Sequence, residues 1–182
     1  MPDLNFLFEI GPQLEVRLLD EVVDGESRLQ SRFTSEVRAV FETDFTEVNH
    51  QGLVAEAGVD INLRNVRGSG IDVGAAIDFT YANEKLQDYF YEVSPQYGTP
   101  TRPVFNAKGG YLESKLSIGV GFRPLNNVAV FMGAFTGLYD GAANEDSPLF
   151  ETTSQTGFAL GVVWTIAKSR TMVEVVELGS GQ

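Results

Sequence analysis

The sequence predicts an all-β fold, an antiparallel up-and-down β-barrel that crosses a membrane, with about seven strands present. Apolar and polar residues alternate along six segments, which is the pattern of a strand with one apolar and one polar face, and a seventh segment is apolar on both faces. No charged residue falls on the apolar parity of the six segments that can be oriented. The segments run roughly 11 to 15 residues, against about 5 to 6 for strands of globular proteins.

The first four predicted strands lie before residue 82. The first covers residues 4–18 and contains Pro12, which predicts a bulge or irregular pairing because proline cannot donate to a strand ladder. The next three cover residues 29–42, 53–64 and 71–80, and in each of them the charged residues share one face.

Three further strands follow a polar and aromatic stretch at residues 82–108. They cover residues 112–122, 128–139 and 156–166. Both faces of the middle one are apolar, so the pattern leaves its orientation open. Residues 168–182 form a polar tail. We therefore expect two parts, a partial outer-membrane barrel over residues 1–167 and this tail.

The one-sided placement of charge indicates that the apolar face meets lipid. An Arg or Lys on the lipid face of a barrel costs about 2 to 4 kcal/mol near the bilayer midplane, so a bilayer excludes charge from that face. The opposite face is rich in Gly and Ala, which are weak strand formers but suit a crowded lumen. A mean hydropathy of −0.06 is typical of strands that alternate in polarity.

The connections predict which end of the barrel faces the periplasm. Those at residues 65–69 and 123–127 are short, whereas those at 82–108 and 140–153 are long. Outer-membrane barrels have short periplasmic turns and long outer loops. The first strand then begins outside and the seventh ends in the periplasm. From this, and from a start without a signal peptide, we expect a fragment whose N-terminal strands, odd in number, are missing.

Composition excludes several classes of function. The net charge of −12 makes a nucleic-acid partner unfavourable, because the electrostatic attraction that dominates such binding would be repulsion. There is no Cys and one His, so neither a thiolate metal site nor a histidine-based triad can be built. His50 is placed in the connection at residues 44–51, as an exposed loop residue. We expect no catalytic residue, no cofactor and no metal.

Charged residues of opposite sign share the polar face of neighbouring strands. This spacing favours a network of salt bridges inside the lumen over a pair of catalytic carboxylates. The predicted lumen network consists of Arg32, Glu36, Arg38, Glu56, Asp60, Arg64, Asp72, Asp78, Glu113 and Lys115.

Aromatic residues cluster at the ends of the predicted strands. Tyr81, Tyr111 and Tyr139 lie at the outer ends, and Phe122 and Trp164 lie toward the opposite ends. Their positions predict two interfacial aromatic girdles. The long stretch at 82–108 holds further aromatic and proline residues, and it either folds into the barrel mouth, contacts a partner, or packs as an outer loop.

Two stretches resemble a known family. Tyr89-Phe90, Val93-Ser94-Pro95 and Tyr97-Gly98 resemble a loop of the MipA/OmpV family, the MltA-interacting outer-membrane proteins. The run from Gly137 to Leu149 is similar to that family's strand end and acidic loop. The residues that carry the loop motif are Asp140, Asp146, Ser147, Pro148 and Leu149.

The resemblance implies a location and a set of partners. Members of the family are non-enzymatic outer-membrane β-barrels, so this chain would be the C-terminal portion of such a barrel in contact with outer-membrane lipid. The type member is a scaffold that bridges a murein lytic transglycosylase and a murein synthase. Those two enzymes are therefore the expected partners.

The topology predicts where such partners would bind. The candidate periplasmic surfaces are the connection at residues 19–28, with Asp20, Glu21, Asp24 and Glu26, the turn at 123–127, and the tail after Ala167. Two other functions remain open. One is a channel for small solutes whose lumen charges set selectivity. The other is a soluble ligand-binding barrel whose apolar parity points inward.

Overall fold

The structure, a computed structural model, describes residues 5–125 and 127–167. These residues form one antiparallel β-sheet, strongly curled into a half-barrel. Its strands are β1 (Phe6–Ile10), β2 (Gln13–Val23), β3 (Ser27–Thr43), β4 (Val48–Arg64), β5 (Ile71–Ala82), β6 (Gly110–Leu125), β7 (Val128–Leu138) and β8 (Ser154–Trp164). The antiparallel barrel prediction is confirmed. In the described part of the chain, no helix is both long enough and apolar enough to cross a membrane.

The first predicted strand is present as β1 and β2, which are separated at Gly11 and Pro12. Both strands pair with β3 in one continuous register, with Ile10 opposite Ala39 and Gln13 opposite Glu36. A side chain on Gly11 would collide with the β3 backbone, so only glycine fits there. Of the two outcomes predicted at Pro12, a bulge or irregular pairing, no bulge forms because the register does not shift, and the strand is instead interrupted at residues 11–12. The sheet has seven rows of strand because β1 and β2 form one row.

The prediction of a connection at residues 19–28 is wrong, because β2 continues to Val23. The register with β3 shifts between Arg17 and Leu19, which marks a β-bulge at Leu18. A bulge reverses the parity of the residues that follow it, so the alternation is lost in the sequence although the strand continues. The true connection is a tight hairpin at residues 24–26, where Asp24 and Gly25 have positive φ angles of 53° and 78°.

The third predicted strand begins five residues earlier than expected, at Val48, so His50 lies in β4 and not in a loop. His50 is exposed, as expected, and its ring lies 5.4 Å from that of its partner Phe41. The register shifts here because Gly52 pairs with Val40, which leaves Gln51 as an extra residue. The polar run around this bulge has no alternation from which a strand could be predicted.

The two faces of the sheet differ in exposure. Along β5 the apolar side chains are exposed and the alternate residues are partly buried. Neighbouring strands continue this pattern, and Ile118 on the apolar face of β6 is 66% exposed. An apolar face this exposed favours a lipid-facing surface over the buried interior of a soluble barrel.

Pairing orients β7, whose faces could not be distinguished in the sequence. Phe131 lies opposite Gly121 and Phe135 opposite Ser117, so both rings share the polar face of β6. Met132 lies opposite Val120 on the apolar face. The sequence left this strand ambiguous because β7 and β8 contain no charged residue.

The connections divide the sheet into two ends. We call the end with the connections at residues 24–26 and 65–70, and with the connection from β6 to β7, the turn end. The loop end carries the connections at residues 44–47, 83–109 and 139–153. The predicted alternation of short and long connections is confirmed, except that the one at 44–47 is also short.

The stretch at 82–108 contains a helix that the residue pattern does not predict. Helix α1 (Glu84–Tyr91) begins after Asn83, whose side chain accepts a hydrogen bond from the Leu86 amide at 3.2 Å. A short 3-10 turn follows at Pro95–Tyr97. Leu86 packs with Val40 and Val54, residues on the polar face near the loop end. The stretch therefore folds onto the polar face of the sheet and covers that face at the loop end.

Candidate functional site

The ten residues of the predicted lumen network all lie on the polar face. They come from β3, β4, β5 and β6, and the register sets several directly opposite one another. Arg32 faces Asp60, Glu36 faces Glu56, and Asp78 faces Lys115. Side chains opposite each other on one face interact most strongly, so the strand register decides which charges pair.

The first cluster centres on Arg32. Its Nε and Nη2 atoms donate to the Asp60 carboxylate at 3.1 to 3.3 Å, and its Nη1 donates to Glu15 Oε2 at 3.4 Å. The Asn62 amide also donates to Asp60. These bonds join β2, β3 and β4, and the planar guanidinium is suited to this two-pronged contact with a carboxylate.

The second cluster centres on Arg38, which contacts three carboxylates. Its Nε lies 2.5 Å from Glu9 Oε2, its Nη2 lies 3.5 Å from Glu56 Oε2, and its Nη1 contacts Glu36. Glu36 and Glu56 are direct cross-strand neighbours, and like charges in that position repel. Arg38 therefore holds together a group of carboxylates that would otherwise push the strands apart.

The other members of the predicted set lie outside these two clusters. Asp72 lies at the turn end, where it accepts hydrogen bonds from the backbone N–H of Asn65 at 2.9 Å and from the guanidinium of Arg123 at 3.4 Å. Arg64 lies opposite Arg28. Glu113 lies at the loop end, beside the Tyr139 hydroxyl.

The charged residues of the polar face stabilise the packing of neighbouring strands. Both central arginines are held by carboxylates, so neither presents a free charge to a reacting group. Among the residues that the structure describes, no group of three or more His, Cys, Asp and Glu side chains is arranged to hold a metal ion.

A buried pair of amides, missed in the sequence analysis, joins the two long loops. Gln87 on α1 and Asn144 in the 139–153 loop are each 1% exposed. Asn144 Nδ2 donates to Gln87 Oε1 at 2.5 Å and to the Lys108 carbonyl at 2.8 Å, and its Oδ1 accepts from the Lys108 amide at 2.8 Å. Gln87 Nε2 donates to the Gly110 carbonyl at 3.2 Å. We call Gln87 and Asn144 the amide clasp.

The predicted motif loop docks through its serine. Ser147 is buried, and its hydroxyl donates to the Tyr91 carbonyl at the end of α1 at 2.8 Å. Pro148 and Leu149 are half-buried, whereas Asp140 and Asp146 are exposed. The loop is therefore fixed to the end of α1 by Ser147, and it presents its carboxylates to solvent.

The aromatic girdle prediction is correct in position for four of five residues and wrong for Tyr139. Tyr81 and Tyr111 form an edge-to-face pair, 5.7 Å between centroids, on the apolar face at the loop end. Phe122 and Trp164 lie on that face at the turn end. Tyr139 has the parity of the polar face. The sequence does not show this, because both faces of β7 are apolar and only the pairing with β6 orients the strand.

Tyr139 packs instead with the loop aromatics. Its ring lies 6.3 Å from that of Phe150, which lies 6.1 Å from Tyr91. Burial raises the pKa of both tyrosines, and the nearby Glu113 carboxylate raises each pKa further. These hydroxyls therefore stay protonated and act as hydrogen-bond groups, not as bases.

Similarity to a protein family decides what this sheet belongs to. The model of the family described as MltA-interacting protein MipA matches residues 1–166. The chain belongs to the MipA family. No curated protein and no solved structure matches it. The resemblance stated from the loop motifs is thus confirmed over nearly the whole barrel part.

MipA proteins are a non-enzymatic family of the outer-membrane β-barrel type. That character agrees with the geometry of this MipA chain, in which charged residues brace strands and amides fasten loops. The MipA match ends at residue 166, and the predicted tail at 168–182 lies outside the described residues.

Proposed function

We propose that this chain is part of an outer-membrane β-barrel that acts as a scaffold for murein-processing enzymes, a murein lytic transglycosylase and a murein synthase. The observation that carries the proposal is the match to the MipA family, whose description names an interaction with MltA. A scaffold needs a stable body and an accessible binding end, and it needs no catalytic group.

The apolar face supports placement in the outer membrane. Strands β2 to β8 run 11 to 17 residues, and a transmembrane β-strand needs about 9 to 11. The tyrosine pair Tyr81–Tyr111 at one end and Trp164 at the other end flank the exposed apolar band. Aromatic residues at both membrane interfaces are typical of such barrels.

The connections support an orientation with the turn end in the periplasm, because short turns lie on that side in outer-membrane barrels. The murein layer also lies in the periplasm. Partners would therefore meet the turn end, and the long loops with the amide clasp would face outward.

The test is co-purification from the native membrane. Affinity-tagged full-length protein is cross-linked in cells, extracted from the outer membrane and probed for MltA and for murein synthases. An unrelated tagged barrel from the same membrane is the control. We expect MltA to co-purify with this protein and not with the control barrel. Equal recovery on both barrels, or on neither, contradicts the scaffold.

A second candidate function is a channel for small solutes, favoured by the restriction of charge to one face of the sheet. Single-channel conductance of the full-length barrel tests it, with Arg32, Arg38 and Arg64 each replaced by Gln. A channel requires conductance that changes with these replacements. A barrel that does not conduct excludes this function.

A further inference from the structure

We propose that the polar face of the sheet carries a binding groove for an uncharged saccharide. The proposal goes beyond the scaffold function and takes from it only that the chain forms part of a barrel. The site is a cavity of about 490 Å³ on the polar face, and we call it the polar groove. Small-molecule sites usually have volumes of about 300 to 1,000 Å³.

The strand register gives the polar groove a floor between two walls. The floor consists of small residues that β5 and β6 place side by side: Gly74, Ala76, Ser117, Gly119 and Gly121. Arg32, Asp60 and Asn62 of β3 and β4 form one wall, and Phe131 of β7 forms the other. Neighbouring strands lie about 4.8 Å apart, so β4 and β7 are separated by about 14 Å along the sheet. A sugar ring with its hydroxyl groups fits between walls at this separation.

The floor of the polar groove is open above β6. A β-carbon added to Gly119 would meet no atom closer than the Met132 carbonyl oxygen at 3.6 Å, and one added to Gly121 would meet none closer than 3.8 Å. Gly157 and Gly161 of β8 differ, because phenylalanine rings cover them. The space above Gly119 and Gly121 is therefore left free for a ligand.

The aromatic wall presents the face of a ring. The Cζ and both Cε atoms of Phe131 are the nearest atoms above Gly161, so the ring lies over that glycine with one face. Phe131 is 47% exposed, which leaves its other face accessible. The face of an aromatic ring carries partial negative charge and attracts positively polarised C–H groups. A pyranose ring presents such C–H groups on its own faces, so the two rings can stack.

The polar wall supplies hydrogen-bond groups that are held in place before a ligand binds. The Arg32 guanidinium and the Asn62 amide both donate to the Asp60 carboxylate. The side chains of Arg32 and Asp60 are 38% and 20% exposed, so both remain accessible. Each sugar hydroxyl can donate and accept, and it can therefore pair with a carboxylate, an amide or a guanidinium. Groups that are already fixed lose little conformational freedom on binding.

The charges around the polar groove favour an uncharged ligand over an anion. Arg32 is shared by Asp60 and Glu15, and Asp72 is paired with Arg123. These groups comprise three carboxylates and two guanidinium groups, and each guanidinium already binds a carboxylate. An anionic ligand would therefore have to compete with a carboxylate of the protein for either cation.

The position of the polar groove indicates how a saccharide would reach it. Helix α1 covers the polar face at the loop end, where Leu86 packs against Val40 and Val54. The groove lies further toward the turn end, because Asp72 and Gly121 line it. A ligand would therefore enter from the turn end. Uncharged pyranose rings occur both in free disaccharides and in the N-acetylglucosamine units of murein.

The test measures binding of small molecules to the full-length protein in lipid nanodiscs by saturation-transfer NMR. Maltose is the probe for a free sugar, and N,N′-diacetylchitobiose is the probe for the N-acetylated rings of murein. Benzoate is the probe for a flat anion that could stack on Phe131 without the hydroxyl groups. Resistance to SDS at room temperature shows that each barrel is folded.

Two substitutions alter the polar groove in different ways. Gly119→Val fills the floor, and valine is a good strand former, so the barrel should keep its fold. Phe131→Leu removes the aromatic face and keeps an apolar side chain. The matched control is Ala134→Val, which adds the same kind of bulk on the apolar face, opposite Ile118.

We expect at least one disaccharide to bind the unaltered protein, with the strongest transfer to its ring C–H protons. Gly119→Val should abolish this binding, Phe131→Leu should weaken it about three- to tenfold, and Ala134→Val should leave it unchanged. Tighter binding of maltose would identify a free sugar as the ligand, and tighter binding of the chitobiose would identify murein.

Three results would overturn the polar groove as a saccharide site. The first is that the unaltered protein binds neither disaccharide, which leaves the scaffold function standing because co-purification of MltA tests that function separately. The second is that Gly119→Val binds the sugars as tightly as the unaltered protein does. The third is that benzoate binds more tightly than either disaccharide.

Discussion

The ring of Phe131 lies against the α-carbon of Gly161, its direct partner across β7 and β8. Phe135 and Gly157 repeat the arrangement four residues away along both strands. A ring that covers a glycine shields the backbone and supplies the packing that the missing side chain would give. These pairs stabilise the part of the polar face that has no charges.

Gly161→Ala is expected to destabilise the barrel by about 1 to 3 kcal/mol, because its methyl group would collide with the Phe131 ring. Urea unfolding in lipid vesicles, followed by the fluorescence of Trp164, measures the change. Gly119→Ala is the control, since a methyl group there meets nothing closer than the Met132 carbonyl at 3.6 Å. Equal effects of the two substitutions would show that the ring and glycine do not pack as described.

Asn144→Ala is expected to cost about 1 to 3 kcal/mol, because it leaves the buried Gln87 and the Lys108 backbone without their partner. The loss should show as faster cleavage of both long loops by a glutamate-specific protease, since each loop contains Glu. Asp146→Ala, at an exposed position, is the control. The double variant Asn144→Ala with Gln87→Ala should lose less stability than the sum of the losses of the two single variants. Additive losses would contradict the amide clasp.

Arg38→Met is expected to destabilise the sheet by about 1 to 3 kcal/mol, because it leaves neighbouring carboxylates without their shared cation. Adding Glu36→Gln should restore part of that stability, because it removes the repulsion between the Glu36 and Glu56 carboxylates. The urea midpoint measures both effects, with Lys85→Met as the control. An unchanged midpoint in Arg38→Met would show that the cluster does not brace the strands.

Cysteines introduced at Val73 and Ile118 are expected to react with a lipid-soluble maleimide and to resist a polar one, because both side chains project from the apolar face. Ala76→Cys and Ser117→Cys, a pair on the opposite face, are the controls. Labelling of membranes that contain the full-length protein tests the assignment. A reversed pattern would favour the soluble barrel, in which the apolar parity points inward.

The turn at residues 44–47 is expected to stay closed until strongly acidic pH. Hydrogen bonds from Thr46 and from the Glu47 amide lower the pKa of Asp44 to about 2. Because this folded-state pKa lies below the ordinary value of 3.8, the stabilisation is complete above 3.8 and is lost as the pH falls through about 2. Hydrogen exchange at the Thr46 amide measures it. Opening above pH 4, or an unchanged profile in Asp44→Asn, would contradict this account.

Six of the seven rows of strand are predictable because each carries a long period-two pattern, and β7 is predictable as an apolar run whose faces are alike. In the other rows the pattern is lost where the backbone breaks the period. The bulge at Leu18 reverses the parity, so the sequence at the end of β2 has the pattern of a connection. The bulge at Gln51 had the same effect on the start of β4. Helix α1 was missed because it is a single short element, although Asn83 followed by Glu84 is a signal for a helix start.

The composition of the polar face was predictable, but its contacts were not. Parity assigns a residue to a face, whereas register decides that Arg32 meets Asp60 and that Arg64 meets Arg28. The amide clasp left no local signal at all. Its two members lie 57 positions apart, and ordinary polar residues in loops give no indication that they are buried.

The amide clasp also determines how the loop end of this protein is recognised. Because Asn144 and Gln87 hold two distant segments together, the surface above them is a discontinuous epitope. A peptide copied from either loop would lack the other half and the fixed backbone. Antibodies or phages that bind this surface would therefore need the folded protein, and sequence changes in one loop would alter recognition through the other.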